Sequence, residues 1–213
     1  VFGRPRGSGS DVNEPFWNSA YRDKDAPSVF GSPAEEICSL VAKLRGEGTV
    51  LDLGCGDGRN TLFLLEQGFH VTAVDVSGSA IEKLCQRAGH NRERLATHVG
   101  DAREFRLGGP YDLIVAHGLL HLIPREDWTR LVKALQQQTA PLGYNVVAVF
   151  TDALPPPADL EPFMLGLFRE GELLNQYAGW AVELHRSYVL HDEHPGGVRH
   201  RHPVNKIVAQ KPA

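Results

Sequence analysis

Residues 51–60 read LDLGCGDGRN, with glycines at 54, 56 and 58 directly behind a short apolar run. Glycines at a strand-to-helix turn permit positive φ and let a ligand approach the backbone closely. In a doubly wound sheet such a turn lies beyond the carboxyl end of a strand, where ligands bind. A dinucleotide site is written GxGxxG and seats a pyrophosphate on the helix N-terminus. Here the spacing is GxGxG, and Asp52 stands two residues before the first glycine. A carboxylate there opposes a phosphate and suits an ammonium. S-adenosylmethionine has an amine, a positive sulfonium and no phosphate. Asp75, seventeen positions after Gly58, follows a second apolar run and can accept from both ribose hydroxyls. Asp101 follows a third and can take the adenine amino group, with the Ala102 backbone N–H open to a ring nitrogen. A tight turn or a helix cap explains any one of these alone. Three at successive strand ends point to that cofactor, and away from a nicotinamide-dependent oxidoreductase.

A second concentration of chemistry lies near the end of the chain. His185, His191, His194, His200 and His202 fall within eighteen positions, beside Arg186, Arg199 and Arg201. Such a cluster can bind a metal, bind an anion or sit in water. His-x-His without a committed third ligand is a weak metal signal, so no metal site is expected. Arginine favours an oxyanion, whose paired oxygens match the guanidinium fork. His200 and His202 flank Arg201, so a strand turns both to one face.

These groups need a scaffold. Ser32-Pro33-Ala34-Glu35 is a capping-box signature, followed by Ile37, Leu40, Val41 and Leu44 at helical spacing. Strands are expected at 49–53, 70–74, 96–99, 111–116 and 145–150. Between them come helical patterns at 58–66, around Ile81, Leu84, Cys85 and Ala88, and after Pro124 with Trp128, Leu131, Val132 and Leu135 on one face. That alternation predicts βαβ units and a doubly wound, mostly parallel α/β sheet. After Pro155-Pro156-Pro157 a short helix spans 170–177. Two strand-like runs follow at 180–190 and 203–209, with 191–202 between them. Two strands in succession predict an antiparallel hairpin at the sheet edge.

The chain of 213 residues is long enough for one substantial core. A net charge of −4 argues against a general nucleic-acid binder. No apolar run is long enough to span a membrane, and no apolar leader stands at the start. Residues 1–15, polar and rich in Gly, Ser and Pro, are expected to form a mobile arm ahead of one domain at 16–213. Cys38, Cys55 and Cys85 form neither a CxxC pair nor an even disulfide set, which fits a reducing cytoplasm. Cys55 reads as a small filler in the glycine loop, with no activating base nearby in sequence. The oligomeric state is left open.

VLDLGCGDGRN, VTAVDVS, GDAREF and YDLIVAHGLLHLI resemble the ordered motifs of class I S-adenosylmethionine-dependent methyltransferases. That resemblance implies a Rossmann-like seven-stranded sheet with the last strand antiparallel. The second half, including GYNVVAVFTD, PFMLGLFREGELLNQYAGW and LHDEHPGGVRHRHPVNKIVAQK, is similar to the TehB-type tellurite-resistance methyltransferases, and FWNSAY suits their N-terminal lid, here 16–32. The implied cofactor set is Trp17, Tyr21, Asp52, Gly54, Cys55, Gly56, Gly58, Asn60, Asp75, Val76, Asp101, Ala102 and His117. Trp17 and Tyr21, four apart, share a helical face as a flap or as core packing. His117 ends the fourth strand, where the family keeps residues near the sulfonium.

The resemblance also implies that His191 and Arg199 hold and orient a tellurite- or selenite-type oxyanion, with Arg59 and His121 as further acceptor contacts. S-adenosylhomocysteine would be the product. Asp192 departs from the basic residue expected after that histidine, which opposes an anion and keeps a thiol, thiopurine or other small-metabolite acceptor in play. A binding protein that senses S-adenosylmethionine without chemistry is the non-enzyme alternative.

Overall fold

A computed structural model describes residues 16–28, 30–44, 47–194 and 198–213, so the expected arm at 1–15 lies outside the described residues. Two short helices lead, α1 (Phe16–Arg22) and α2 (Glu35–Val41). The alternating part follows as β1 (Thr49–Leu53), α3 (Arg59–Glu66), β2 (His70–Asp75), α4 (Gly78–Arg87), β3 (Leu95–Val99), β4 (Tyr111–His117), α5 (Arg125–Gln138) and β5 (Thr139–Phe150). It closes with α6 (Glu172–Gln176), β6 (Ala181–His194) and β7 (Val198–Gln210). The seven strands lie in the order β3-β2-β1-β4-β5-β7-β6. The pairs among β1 to β5 are parallel, and β7 runs antiparallel to both β5 and β6. The expected α/β sheet with its antiparallel edge hairpin is therefore what forms.

Each face of the sheet carries its own apolar layer. On one face Leu51, Leu53, Ile114, Val147 and Ile207 pack against Trp128 and Leu131 of α5 and Leu173 of α6. Trp128 is fully buried and stacks on Phe168 with ring centres 4.0 Å apart. On the other face Val50, Val71, Leu113, Val115 and Val208 meet Ile37 and Leu40 of α2, Leu64 and Leu65 of α3 and Leu84 of α4. Strands buried on both faces explain the near-continuous apolar runs at 50–53 and 113–116.

Two local expectations are corrected. The capping box does not form. Helix α2 begins at Glu35 behind Ala34, whose N–H is taken by the Asn60 side chain at 3.0 Å rather than by Ser32. The stretch at 191–202 is not a loop between strands. Strand β6 runs on to His194 and β7 begins at Val198, so His191 faces Arg201 and Asp192 faces His200. Phe150, the end of β5, pairs with Val204, so six further β7 residues, 198 to 203, extend past the central strands. At about 3.3 Å per residue the hairpin overhangs the carboxyl end of the sheet by roughly 20 Å.

Candidate active site

The glycine loop joins β1 to α3 at that carboxyl end. Gly54 and Cys55 N–H groups both donate to the Val74 carbonyl, which pins the turn against β2. Gly56 has φ +55, and a Cβ there would come within 2.6 Å of the Tyr21 hydroxyl. Gly58 has φ +90 as the cap of α3, and a Cβ there would strike Leu84 at 2.4 Å. Both positions therefore demand glycine by conformation and by space. Cys55 is buried with its thiol 3.5 Å from the Gly56 carbonyl, and burial pushes its pKa well up. It is an inert thiol.

Asp52 lies under the loop, 2% exposed, and accepts a 2.6 Å hydrogen bond from the Thr61 hydroxyl. Burial pushes its pKa up to about 6, with the Asp75 charge adding to the rise and Thr61 and Arg59 opposing it. Asp75 ends β2 and accepts from the N–H groups of Gly56 at 2.8 Å and Ser77 at 2.9 Å. Burial raises it too, against those backbone donors. Val76, the next residue, is 73% exposed just beyond the tip of β2. An apolar side chain that open at a strand tip offers a face for a flat ring. Ala102 is buried beside it in chain order to Asp101, whose carboxylate is held by the backbone N–H and guanidinium of Arg103. Adenine recognition by Asp101 thus requires it to share or release Arg103, a partner two residues away that motif reading passed over.

Helix α1 lies over this loop, with the Tyr21 hydroxyl against Gly56. Tyr21 is 4% exposed, and burial followed by the Asp75 and Asp57 charges raises its pKa. Trp17, on the same helix, meets Phe163 edge-on at 5.8 Å, so α1 spans from the glycine loop to the segment behind β5. Ser28 donates to Asp57 at 2.6 Å, and Asp57 pairs with the wholly buried Lys83 at 3.2 Å. The segment after α1 is thereby tied to the glycine loop. Tyr21→Ala removes the side chain that seals Gly56. The expected result is about tenfold weaker binding of S-adenosylhomocysteine by calorimetry, roughly 1.4 kcal/mol, with the secondary structure retained.

A buried polar chain runs behind the cleft. Arg59 donates to Nδ1 of His117 at 2.9 Å and to the Phe30 carbonyl at 3.0 Å. His117 Nε2 meets Glu36 Oε1 at 2.9 Å, and Lys206 meets Glu36 Oε2 at 3.1 Å. Burial alone would raise Glu36, yet the His117 hydrogen bond and nearby positive charge hold it at about 2. Burial lowers His117, so the ring is neutral, with its proton on Nε2 and its Nδ1 lone pair toward Arg59. Glu36 and Lys206, 81 and 89 residues from His117 along the chain, were not among the sequence candidates. Their signal was faint: an acid at 36 beside Ile37 and four before Leu40 on the inward face of α2.

The remaining candidates divide between the interior and the outer face of the hairpin. Asn60 is buried and fastens the start of α2. His121 is 2% exposed, accepts from the Phe150 N–H at 3.2 Å and stacks on Phe150 at 4.2 Å. Burial pushes its pKa down to about 3, so it is a neutral interior ring. Phe150 stacks in turn on His202 at 4.4 Å, and His200 lies beyond, 3.1 Å from Asp159. His200 and His202 do share one face, and it is buried. His191 and Arg199 are exposed on the opposite face of the hairpin, where Arg201, paired with His191, also projects. Among the described residues no group of three or more His, Cys, Asp or Glu side chains could hold a metal ion.

The family model for "Tellurite resistance protein TehB" matches residues 32–197. The chain belongs to the TehB family. Among curated relatives, the probable S-adenosyl-L-methionine-dependent methyltransferase TehB of Haemophilus influenzae (strain 10810) is 33% identical over 142 residues, 66% of this chain and 48% of that protein. Hemagglutinin 1 of Eikenella corrodens is 33% identical over 162 residues, 76% of this chain and 52% of that protein. This TehB-family chain thus spans about half the length of the curated relatives it matches. The crystal structure of TehB from Haemophilus influenzae superposes with a TM-score of 0.74 at 26% identity, covering 84% of this chain and 62% of that one. No helix among the described residues is long and apolar enough to cross a membrane.

Proposed function

We propose that this chain is an S-adenosylmethionine-dependent methyltransferase acting on a small soft nucleophile, with a tellurite- or selenite-type oxyanion as the acceptor. The observation that carries the reading is the buried carboxylate of Asp52 beneath a loop of positive-φ glycines, facing the same turn as Asp75. A buried acid with no basic side chain in hydrogen-bond contact calls for a cation, and the ligand's ammonium provides one. The residues fit the cofactor: Asp75 for the ribose hydroxyls, Val76 for one face of the adenine, and Tyr21 over Gly56 to exclude water.

When bound, S-adenosylmethionine supplies an electrophilic methyl group on a positive sulfur. Displacement at that carbon is in-line, and the departing sulfur becomes neutral without an acid. The protein's work is therefore positioning and exclusion of water. Tyr21, Trp17 and the Ser28–Asp57 bond close the lid. Glu36 keeps the His117 proton on Nε2, and Arg59 fixes the ring's other edge. A tellurium(IV) or selenium(IV) centre attacks through its own lone pair and needs no base. His191 and Arg199 reach it when the overhanging hairpin turns that face to the cleft, and Arg59 adds positive charge at the cleft floor. His121 serves as packing in this reading.

A second acceptor class is favoured by one specific feature. The neutral Nδ1 of His117 can take a proton once Arg59 moves aside, which suits an acceptor with an S–H or O–H group. A methyl-acceptor screen with labelled cofactor and trapping of volatile products separates the two. Labelled methylated tellurium or selenium oxyanion, converted to volatile telluride or selenide only when an added thiol reductant supplies the electrons, and lost in His191→Ala and Arg199→Ala, is the expected result. Turnover on organic thiols with no volatile product would move the assignment to the second class. Cofactor binding without turnover on any acceptor would leave a sensor.

A further inference from the structure

Among the described residues strand β6 closes one edge of the sheet, paired to β7 on one side only. It is long, fourteen residues, and its apolar side chains stand open: Tyr188 38%, Val189 39% and Leu190 37% exposed. Protected edges are short, bulged, or studded with lysine and proline. The register shift between Val182 and Leu184 irregularises only the start of β6, and from Leu184 to His194 there is neither lysine nor proline. A second strand therefore has an uninterrupted template.

The residue order along that template is self-complementary. Arg186 precedes the apolar centre Tyr188-Val189-Leu190, and Asp192 follows it. When two copies of β6 pair antiparallel with Val189 opposite Val189, Tyr188 of each copy falls opposite Leu190 of the other. Arg186 falls opposite Asp192, twice by symmetry, on the same face as the Tyr188–Leu190 pairs. Ser187 falls opposite His191. Between Arg186 and Asp192 each opposed pair is apolar with apolar, polar with polar or of opposite charge, which is the condition for an isologous two-fold contact. Shifting the centre to Tyr188 or Leu190 puts Arg186 opposite Leu190 or His194 and loses the pairing of charges.

We infer that the chain forms a two-fold dimer by antiparallel pairing of β6 with β6 about Val189, joining the two sheets into one of fourteen strands. The occupant of the edge is a second copy because the charge order fits itself. Arg186 has a 3.4 Å contact with Glu35, both more than half exposed, so the guanidinium can be shared; the partly buried Asp192 likewise shares its carboxylate between its own chain and the second copy.

Light scattering coupled to gel filtration tests this with the full chain. The wild type is expected at twice the 23.4 kDa chain mass. Arg186→Asp or Asp192→Arg alone puts two like-charge pairs across the axis and raises the dissociation constant by about a hundredfold. The double variant with both changes regains the dimer. Val189→Cys, with Cα atoms about 4.5–5.5 Å apart across the axis, crosslinks on mild oxidation, whereas Ser187→Cys does not. A wild type that stays monomeric up to its solubility limit overturns the inference. So does a double variant that remains dissociated, or equal crosslinking at 187 and 189.

Discussion

Glu36→Gln is expected to lower kcat/KM by about a hundredfold and to cost roughly 2–4 kcal/mol of stability. The wild-type carboxylate accepts from two cationic or polar donors at once, His117 through Oε1 and Lys206 through Oε2. A carboxamide has one acceptor oxygen and presents N–H groups to the other donor. Whichever way it turns, Lys206 or His117 loses its partner in a place where the side chains are only 17% and 13% exposed. For a domain of this size each kcal/mol moves the melting point by about 2–4 °C, so a fall of roughly 5–15 °C follows. Adding Lys206→Met removes the stranded ammonium and is expected to return at least half of the lost stability, measured as a double-mutant cycle. Activity should not return with it, because the ring of His117 is still held by an amide in place of a carboxylate. Strictly additive losses in stability would mean that Glu36 and Lys206 do not share one network.

Asp52→Asn has effects of opposite sign on stability and binding. Burial pushes the folded carboxyl up to about 6 from an ordinary aspartate value of about 3.9, so the native state holds its proton more tightly than the unfolded chain. Stability from this group is whole below about pH 4, declines as pH rises through 4 to 6, and is lost above. The cost of ionising it in the fold is about 3 kcal/mol. Asparagine keeps an acceptor for the Thr61 hydroxyl and never ionises. The ligand-free variant should therefore melt several degrees above wild type at pH 8 and close to it at pH 4. Binding goes the other way. An ammonium opposite an amide loses its charge partner, and affinity for S-adenosylmethionine at pH 8 is expected to drop by about 10–100-fold, roughly 1.4–2.8 kcal/mol. Wild-type affinity should rise as pH passes 6, while that of the variant stays flat. Stability surrendered at one buried acid for the sake of a cationic ligand is a familiar trade at functional sites. Loss of stability at pH 8 together with unchanged binding would reverse the assignment.

These groups differ in how far the chain itself announces them. The glycine loop and the strand tips are local: three glycines behind an apolar run, with acids two, seventeen and forty-three positions off, are legible without knowing the fold. The period-2 rule likewise put His200 and His202 on one face. It could not say which face, and the stack through Phe150 to His121 decided that they are interior. The same stack places His121 in the interior, 2% exposed against Phe150. Strand length was under-read at 191–202 because Asp192 and Glu193 are poor strand formers by type, and pairing along β7 overrides their preference. Glu36 and Lys206 were invisible for a different reason. They meet His117 only after α2 and β7 pack on the same face of β4, a juxtaposition set by topology and by no spacing. Lys83 was read past as one polar residue in a helix, yet it is wholly buried on Asp57 and helps anchor the lid.

Calorimetric titration of the full chain with S-adenosylmethionine, S-adenosylhomocysteine and NAD, repeated on Asp75→Ala, tests the cofactor assignment most directly. Binding of both adenosyl ligands, none of NAD, and a loss of about a hundredfold or more in the variant is the predicted outcome. Tight NAD binding with no response to either adenosyl ligand, or adenosyl binding indifferent to Asp75, would contradict it.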